Sequence, residues 1–358
     1  MNPTRRLLDL FGVALPIVQA PMAGCDTPRL ASAVAAAGGL GSLACAMRDA
    51  DAIRAAVDAF RRDGDRPLNL NFFCHREPEA DAARQAAWRA ALAPYYAEFG
   101  LDADAPLPAA SRRPFDEAAC ALVETLRPRV VSFHFGLPSP ELFARVRAAG
   151  AAVIASATTV AEATHLAERG CDAVIAMGAE AGGHRGSFLV DDMTRQVGTF
   201  ALVPQIVDAV DVPVIAAGGI ADARGVAAAF ALGAGAVQIG TAYLLCDEAQ
   251  VSAPHRAALA SATADGTAIT NVFTGRPARS IVNRAVRELG PMSRTAPAFP
   301  LAAAALLPLR QSAEAQGSGD FSPLWSGQGA PLVRATSAAR LTRALALGLP
   351  DASGLPKQ

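Results

Sequence analysis

Eight short apolar runs recur along the chain: PIVQAPM (16–22), GLGSLAC (39–45), PLNLNFF (67–73), VVSFHFG (130–136), AAVIASA (151–157), AVIAM (173–177), PVIAAGG (213–219) and AVQIGTA (236–242). They are apolar at consecutive positions rather than alternate ones, the pattern of parallel strands covered on both faces. Alanine-rich segments with helical character lie between them. Residues 27–37 (TPRLASAVAAA) begin with a threonine cap and a first-turn proline and stop before Gly38-Gly39. The segments 49–62, 140–149, 159–169, 201–209 and 222–232 follow similar patterns, and Gly150, Gly170 and Gly233 are placed as C-terminal helix glycines. Eight βα units in about 250 residues predict an α/β protein built on a closed (β/α)8 TIM barrel. An open doubly wound sheet is the alternative, but no G-x-G-x-x-G follows the first strand.

Two stretches are too long to be plain connections. Residues 74–129 hold a helix candidate around 79–99, with Trp88, Tyr95 and Tyr96, followed by the proline-containing link LDADAPLPAASRRP. Residues 245–310 contain TAITNVFTGRPARSIVNR (267–284), which alternates as one or two short strands would. The expected organisation is a barrel over 1–244 and 311–358, with 245–310 a small accessory α/β insertion over its mouth. The segment QGSGDFSPLWSGQGAP (316–331) reads either as a flexible connector or as a loop packed on the active-site face, ahead of a final helix at 336–347.

Composition narrows the function. A net charge of −1 gives no field to draw in nucleic acid or an anionic membrane. No apolar stretch approaches the roughly 18–20 residues of a membrane span. Asp9 and Pro16 interrupt the N-terminal segment where a signal peptide would be apolar, so a cytoplasmic enzyme is expected. The six cysteines form no C-x-x-C pair, and there is no H-E-x-x-H; reduced thiols and no metal site are expected. The only lysine is Lys357. Schiff-base chemistry and a Walker-type phosphate loop both need a lysine at the site, so both are disfavoured.

In a barrel of this kind chemistry sits at the carboxyl ends of the strands, and phosphate commonly sits after the seventh and eighth. Those ends carry Gly218-Gly219 and Gly240-Thr241. Glycine lets backbone N–H groups approach a phosphate, although tight turns needed only for packing would read the same way. The sixth run breaks into Gly182-Gly183-His184-Arg185-Gly186. Asn71 and Gln238 are polar within apolar strands, and Pro21-Met22 ends the first strand with a surface suited to a flat ring or simply to the core. Of five histidines, His165 and His255 fall in helical patterns and read as surface or filler residues. His75 follows the third strand and is placed at the mouth; His134 and His184 lie at strand ends that face one cavity. Neutral imidazole is suited to accepting a proton from carbon. The residues thus suggest a phosphate-bearing flavin beside His184.

The motifs QAPMAG (19–24), NLNFFCH (69–75), VVSFHFGLP (130–138), EAGGHRG (180–186), PVIAAGGI (213–220), QIGTAYL (238–244), FTGRPAR (273–279) and DFSPLWSGQ (320–328) span nearly the whole chain. Together they resemble the nitronate monooxygenase family (2-nitropropane dioxygenase), bacterial class I. The resemblance implies an FMN-binding TIM barrel that oxidises alkyl nitronates such as propionate 3-nitronate, or nitroalkanes, with O2 to carbonyl compounds and nitrite. It implies flavin contacts from Met22, Asn71, Gly182, Gly219, Gln238, Ile239, Gly240 and Thr241, with Pro21, Met177 and Gly218 beside them. His184 matches the catalytic histidine and His134 a second active-site histidine, while His75 and Arg185 are expected to line the substrate site. One departure is visible: AMGAEAGGH (176–184) has Met177 where the family has glutamine. An FMN-dependent NAD(P)H:quinone or enoyl-thioester reductase is the alternative on the same scaffold, and a non-redox phosphate-binding lyase or isomerase is a second. Small-molecule substrate and O2 are the expected partners, and a homodimer is left open.

Overall fold

The computed structural model describes residues 2–79, 81–108, 112–261 and 266–350. Residues 109–111 and 262–265 of the two long stretches, and Lys357, lie outside this range. Eleven strands occur among the described residues: β1 (Ile17–Gln19), β2 (Gly41–Ala44), β3 (Leu68–Phe73), β4 (Val130–His134), β5 (Ala152–Ala157), β6 (Ala173–Met177), β7 (Gly183–His184), β8 (Val214–Ala217), β9 (Ala236–Ile239), β10 (Thr267–Thr270) and β11 (Ala278–Ile281).

Eight of them form one parallel sheet in the order β1-β9-β8-β6-β5-β4-β3-β2. The two ends of this order meet. Leu40 donates to the Ile17 carbonyl and accepts from Gln19 N–H, each at 2.9 Å, beside the Val18–Leu40 bridge. The sheet therefore closes into a (β/α)8 barrel, and each of the eight apolar runs supplies one barrel strand. Helices lie between the strands on the outside; that at Pro28–Ala36 is capped by Thr27 Oγ1, which accepts from Leu30 N–H at 3.0 Å.

The period-2 alternation of a strand splits the barrel interior into layers. The lower layer is apolar: Val18, Val130, Ile154, Ile175 and Ile215 form one cluster with Leu7 and Phe11 of the N-terminal helix Pro3–Phe11, which packs against the amino-terminal side of the interior. Two residues further along the same strands, the inward positions are Ala20, Ser132, Ser156, Met177 and Ala217, and β3 and β9 add Asn71 and Gln238. These residues line a cavity at the carboxyl ends. Register keeps this layer level: Asn71 pairs with Ser132, Phe73 with His134, Met177 with Ala217 and Ala217 with Gln238.

A second apolar cluster covers one side of the mouth. Trp88, Leu92 and Tyr96 of the helix Ala82–Glu98 pack with Val272, Phe273, Leu306, Leu309 and Phe321. This cluster thus draws on residues before and after 245–310 as well as on that stretch. Trp88 Nε1 donates to the Ala302 carbonyl at 3.2 Å and the Tyr96 hydroxyl to the Ala305 carbonyl at 2.6 Å. The alternating 267–284 segment forms the hairpin β10–β11, and β11 pairs with β7 in an antiparallel sheet. Trp325 bridges to Ser280 on the same hairpin, so the glycine–serine segment is packed on the mouth and is no free connector. No helix among the described residues is long and apolar enough to cross a membrane.

Trp88 is 1% exposed and joins the two stretches. Trp88→Ala is expected to destabilise the protein by about 3–5 kcal/mol in urea unfolding. A loss under about 1 kcal/mol would show that this cluster does not hold the cap in place.

Candidate active site

The cavity floor is the polar upper layer of the barrel, and its walls are the chain segments leaving the strands. Gly218 (φ 115°) and Gly219 (φ 72°) adopt conformations that side chains resist. The N–H groups of Gly219, Ile220 and Gly240 find no acceptor among the described residues. These three N–H groups sit on neighbouring strand ends that line the cavity, and they leave donors open to an anion. Nearby, Gly182 is required by close approach: a Cβ there would lie 2.5 Å from Gly327 N. That approach is fixed by Gly327 N–H donating to Thr241 Oγ1 and Gln328 N–H to the Glu180 carbonyl, both at 2.9 Å. Gln238 Oε1 is buried in the cavity wall with no hydrogen-bond partner. A buried amide oxygen left unpaired costs about 1–3 kcal/mol, a cost that a donor from water or a ligand would remove. Asn71 is already tied, its Nδ2 donating to Ser132 Oγ at 3.0 Å and to the Ser132 carbonyl at 3.2 Å.

His184 is carried on β7, which the pairing with Ala278 of β11 swings over the barrel mouth. Its Nε2 lies 2.9 Å from Thr274 Oγ1, and its ring packs 5.2 Å from both Phe299 and Trp325. His134 lies directly beneath. Its Nε2 is 3.2 Å from the His184 carbonyl and its Nδ1 is 2.5 Å from Ser156 Oγ. A carbonyl only accepts, so Nε2 of His134 carries the proton, and Nδ1 of the neutral ring accepts from Ser156. Burial, then the Arg276 and Arg185 charges, hold His134 down at about 3. Burial holds His184 well below the usual imidazole range, reinforced by Arg112 and then by His134, Arg276 and His75. Both rings are therefore neutral at neutral pH.

The cavity brings together Pro21, Met22, Asn71, His134, Met177, Gly182, His184, Gly218, Gly219, Gln238, Gly240 and Thr241. Three expected residues stand elsewhere. Arg185 is fully buried and points away from the cavity, because neighbours in an extended strand face opposite sides. It donates to the Met177 and Gly178 carbonyls and to Gln196 Oε1, each at 2.8 Å, and so clamps the end of β6 instead of meeting substrate. His75 lies outside the cavity lining, packed 4.8 Å from the Phe299 ring and 6.2 Å from Phe135. Both of its ring nitrogens lack partners. Ile239 is fully buried in the shell between strands and helices. Conversely His255, read as a surface or filler residue, is buried and lines the cavity, with Nε2 3.0 Å from the Trp325 carbonyl. Arg112, Ser132, Ser156 and Trp325 also line it, and Thr274 supports His184 from behind.

A family model described as nitronate monooxygenase matches residues 4–348. A nitronate monooxygenase of Paraburkholderia phytofirmans is 43% identical, over 95% of this chain and 94% of its own. Another, of Pseudomonas aeruginosa, is 42% identical, over 96% of this chain and 98% of its own. Among solved structures, nitroalkane oxidase from Streptomyces ansochromogenes superposes with a TM-score of 0.87 at 40% identity, covering 96% of this chain and 97% of that one. FabK from Thermotoga maritima superposes with a TM-score of 0.72 at 28% identity, covering 95% and 94%.

The buried imidazoles make stability depend on pH. Burial lowers His75 and His255 to about 4 and His134 to about 3, whereas the unfolded chain takes up these protons near 6.5. Stability is thus complete above the unfolded value and falls as pH drops from about 6.5 towards about 4, by roughly 1.4 kcal/mol per pH unit for each histidine. Urea unfolding at about pH 7 and about pH 5 measures this; His255→Gln should shallow the slope, and an unchanged slope in that variant would remove His255 from the account.

Proposed function

Because the chain belongs to the nitronate monooxygenase family, we propose that it oxidises alkyl nitronates, and nitroalkanes through them, with O2 to carbonyl compounds and nitrite, using FMN. The observation that carries this reading is the unpaired polar set around one cavity: three free backbone N–H groups on one side and the unpartnered Gln238 amide on the floor, with a neutral imidazole above. The residues present fit FMN. The Gly219, Ile220 and Gly240 amides would take its phosphate, Gln238 and Asn71 would meet its polar ring atoms, and Pro21 and Met22 would give it an apolar wall. Met177 offers a thioether where the resembling motif has an amide, so a bound flavin has one side-chain donor fewer. When bound, FMN supplies the electron transfer and oxygen chemistry.

The protein's own residues set up the proton step. Thr274 Oγ1 donates to the Arg276 carbonyl at 3.5 Å, so Nε2–H of His184 donates to that oxygen and Nδ1 is the nitrogen free to take a proton. If the substrate enters as a neutral nitroalkane, this Nδ1 accepts the proton from the carbon bearing the nitro group. A substrate entering as nitronate needs no such step. His134 holds the His184 backbone through its carbonyl, and the rings of Phe299 and Trp325 pack against the imidazole.

A reductase reading is favoured by one observation, the similarity to FabK at 28% identity. Anaerobic mixing with NADH separates the two: rapid bleaching of bound flavin supports a reductase, and O2 uptake with a nitronate but no bleaching supports the oxidation. A colourless protein as purified would point to the non-redox lyase or isomerase reading.

His184→Asn is expected to keep its flavin and to lose roughly 100-fold or more of nitroalkane turnover, the usual scale for a general base, with a much smaller loss on the preformed nitronate. Comparing kcat/KM on the two forms of one compound checks this; equal losses on both would rule out the base role.

A further inference from the structure

The peptide between Gly218 and Gly219 has glycine on both sides, with φ 115° and 72°. Without Cβ atoms to decide its orientation, such a plane turns over at little steric cost. A trans peptide points its N–H and C=O in opposite directions. Turned one way, the plane offers the Gly219 N–H to the cavity that both residues line. Turned the other way, it would offer the Gly218 carbonyl, which repels an anion. Whatever holds that carbonyl decides whether the cavity meets a donor or an acceptor.

Thr199 holds it. Its hydroxyl donates to the Gly218 carbonyl at 3.0 Å, the one hydrogen bond to that oxygen among the described residues. Thr199 is 8% exposed and does not line the cavity. The carbonyl is thus drawn to the protein side, and the Gly219 N–H is left facing the cavity. The hydroxyl is itself fixed. Thr199 opens the helix Thr199–Ala209, and the residue before it, Gly198, brings no side-chain cap. Glu180 takes that role from β6's exit: its two carboxyl oxygens accept from the Thr199 N–H at 2.9 and 2.8 Å. Glu180 Oε2 also lies 2.8 Å from Thr199 Oγ1, so the one hydroxyl hydrogen is shared between the carboxyl and the Gly218 carbonyl, with the Ala217 carbonyl more distant at 3.4 Å. The surrounding chain keeps room for this hydroxyl. A Cβ on Gly178 would lie 1.9 Å from Thr199 Oγ1, and one on Gly218 would lie 2.8 Å from it.

We propose that Thr199 is a positioning residue for the cofactor's phosphate. It acts through the Gly218–Gly219 peptide, keeping the Gly219 N–H turned towards the anion. This rests on the FMN reading for the identity of that anion. The hydroxyl then matters for the phosphate and not for the ring system, a separation that a general structural role for Thr199 would not produce.

The test compares FMN with riboflavin, which has the same ring and ribityl chain and lacks the phosphate. Dissociation constants for both are read from flavin fluorescence with the full-length protein. Thr199→Val keeps the shape of the side chain and the backbone N–H bonded to Glu180 but has no hydroxyl. It should reduce the preference for FMN over riboflavin by about 5–10-fold, the scale of one net hydrogen bond, and leave riboflavin affinity unchanged. Thr199→Ala removes the same hydroxyl with less bulk and should give the same loss, while Thr199→Ser should keep the wild-type preference. An unchanged preference in Thr199→Val and Thr199→Ala overturns the positioning role and leaves the FMN reading standing. Equal weakening of both flavins also overturns it, because the effect would then be structural. A wild type that binds the two flavins equally defeats the phosphate reading of the cavity, and the proposal with it.

Discussion

The alternation of side chains along eight closed parallel strands is the constraint on which this molecule depends. One layer of inward positions, Val130, Ile154, Ile175 and Ile215, is apolar and packs against Leu7 and Phe11. The next layer, two residues on, must then face the opposite mouth, and there the sequence changes to Asn71, Ser132, Ser156 and Gln238. In barrels of this kind the interior is filled by layers of side chains and the site sits above the uppermost layer, at the carboxyl ends. Here the upper layer is small or polar apart from Met177, and the Gln238 oxygen finds no partner among the described residues. Packing below and an open polar shelf above are two results of the same pattern.

The element that carries His184 belongs to the cap as much as to the barrel. His184 lies on a two-residue strand whose only ladder is with β11, and β11 belongs to the hairpin held by Trp325 and the Phe273 cluster. Arg185, next in sequence, turns the other way and clamps the Met177 and Gly178 carbonyls. One residue pair thus joins the two parts: His184 reaches into the cavity, and Arg185 fixes the strand end from which it departs. Loosening the hairpin would move the imidazole without touching any cavity-lining residue.

This division explains what could be read from sequence. The barrel strands were legible because each is a local apolar run, and the glycine-rich ends because backbone approach to a ligand leaves a residue-type signature. Arg185 was misplaced because its direction depends on β7 being extended, which follows from pairing with residues almost a hundred positions away. His255 lies in an ordinary helical pattern; only its bond to the Trp325 carbonyl gives it a place at the site. His75 lies close to the mouth, but Phe299 stands against it. Arg112 sits in a proline-containing link whose course is set by backbone bonds to β2 and β3, and nothing local marks it.

The charges of the site bear on which substrate form the proposed chemistry favours. A cavity whose described lining carries Arg112 and no carboxylate attracts an anion, and the same field makes protonation of His184 costlier. The Arg112 charge contributes to both effects. Such a site holds a nitronate well and is a weaker base towards a neutral nitroalkane. Placing an acid beside His184 would strengthen the base, but it would also repel the anion and pair with Arg112. On the proposed reading, the described cavity wall, with Arg112 and no carboxylate among its described residues, suits the substrate that arrives already deprotonated.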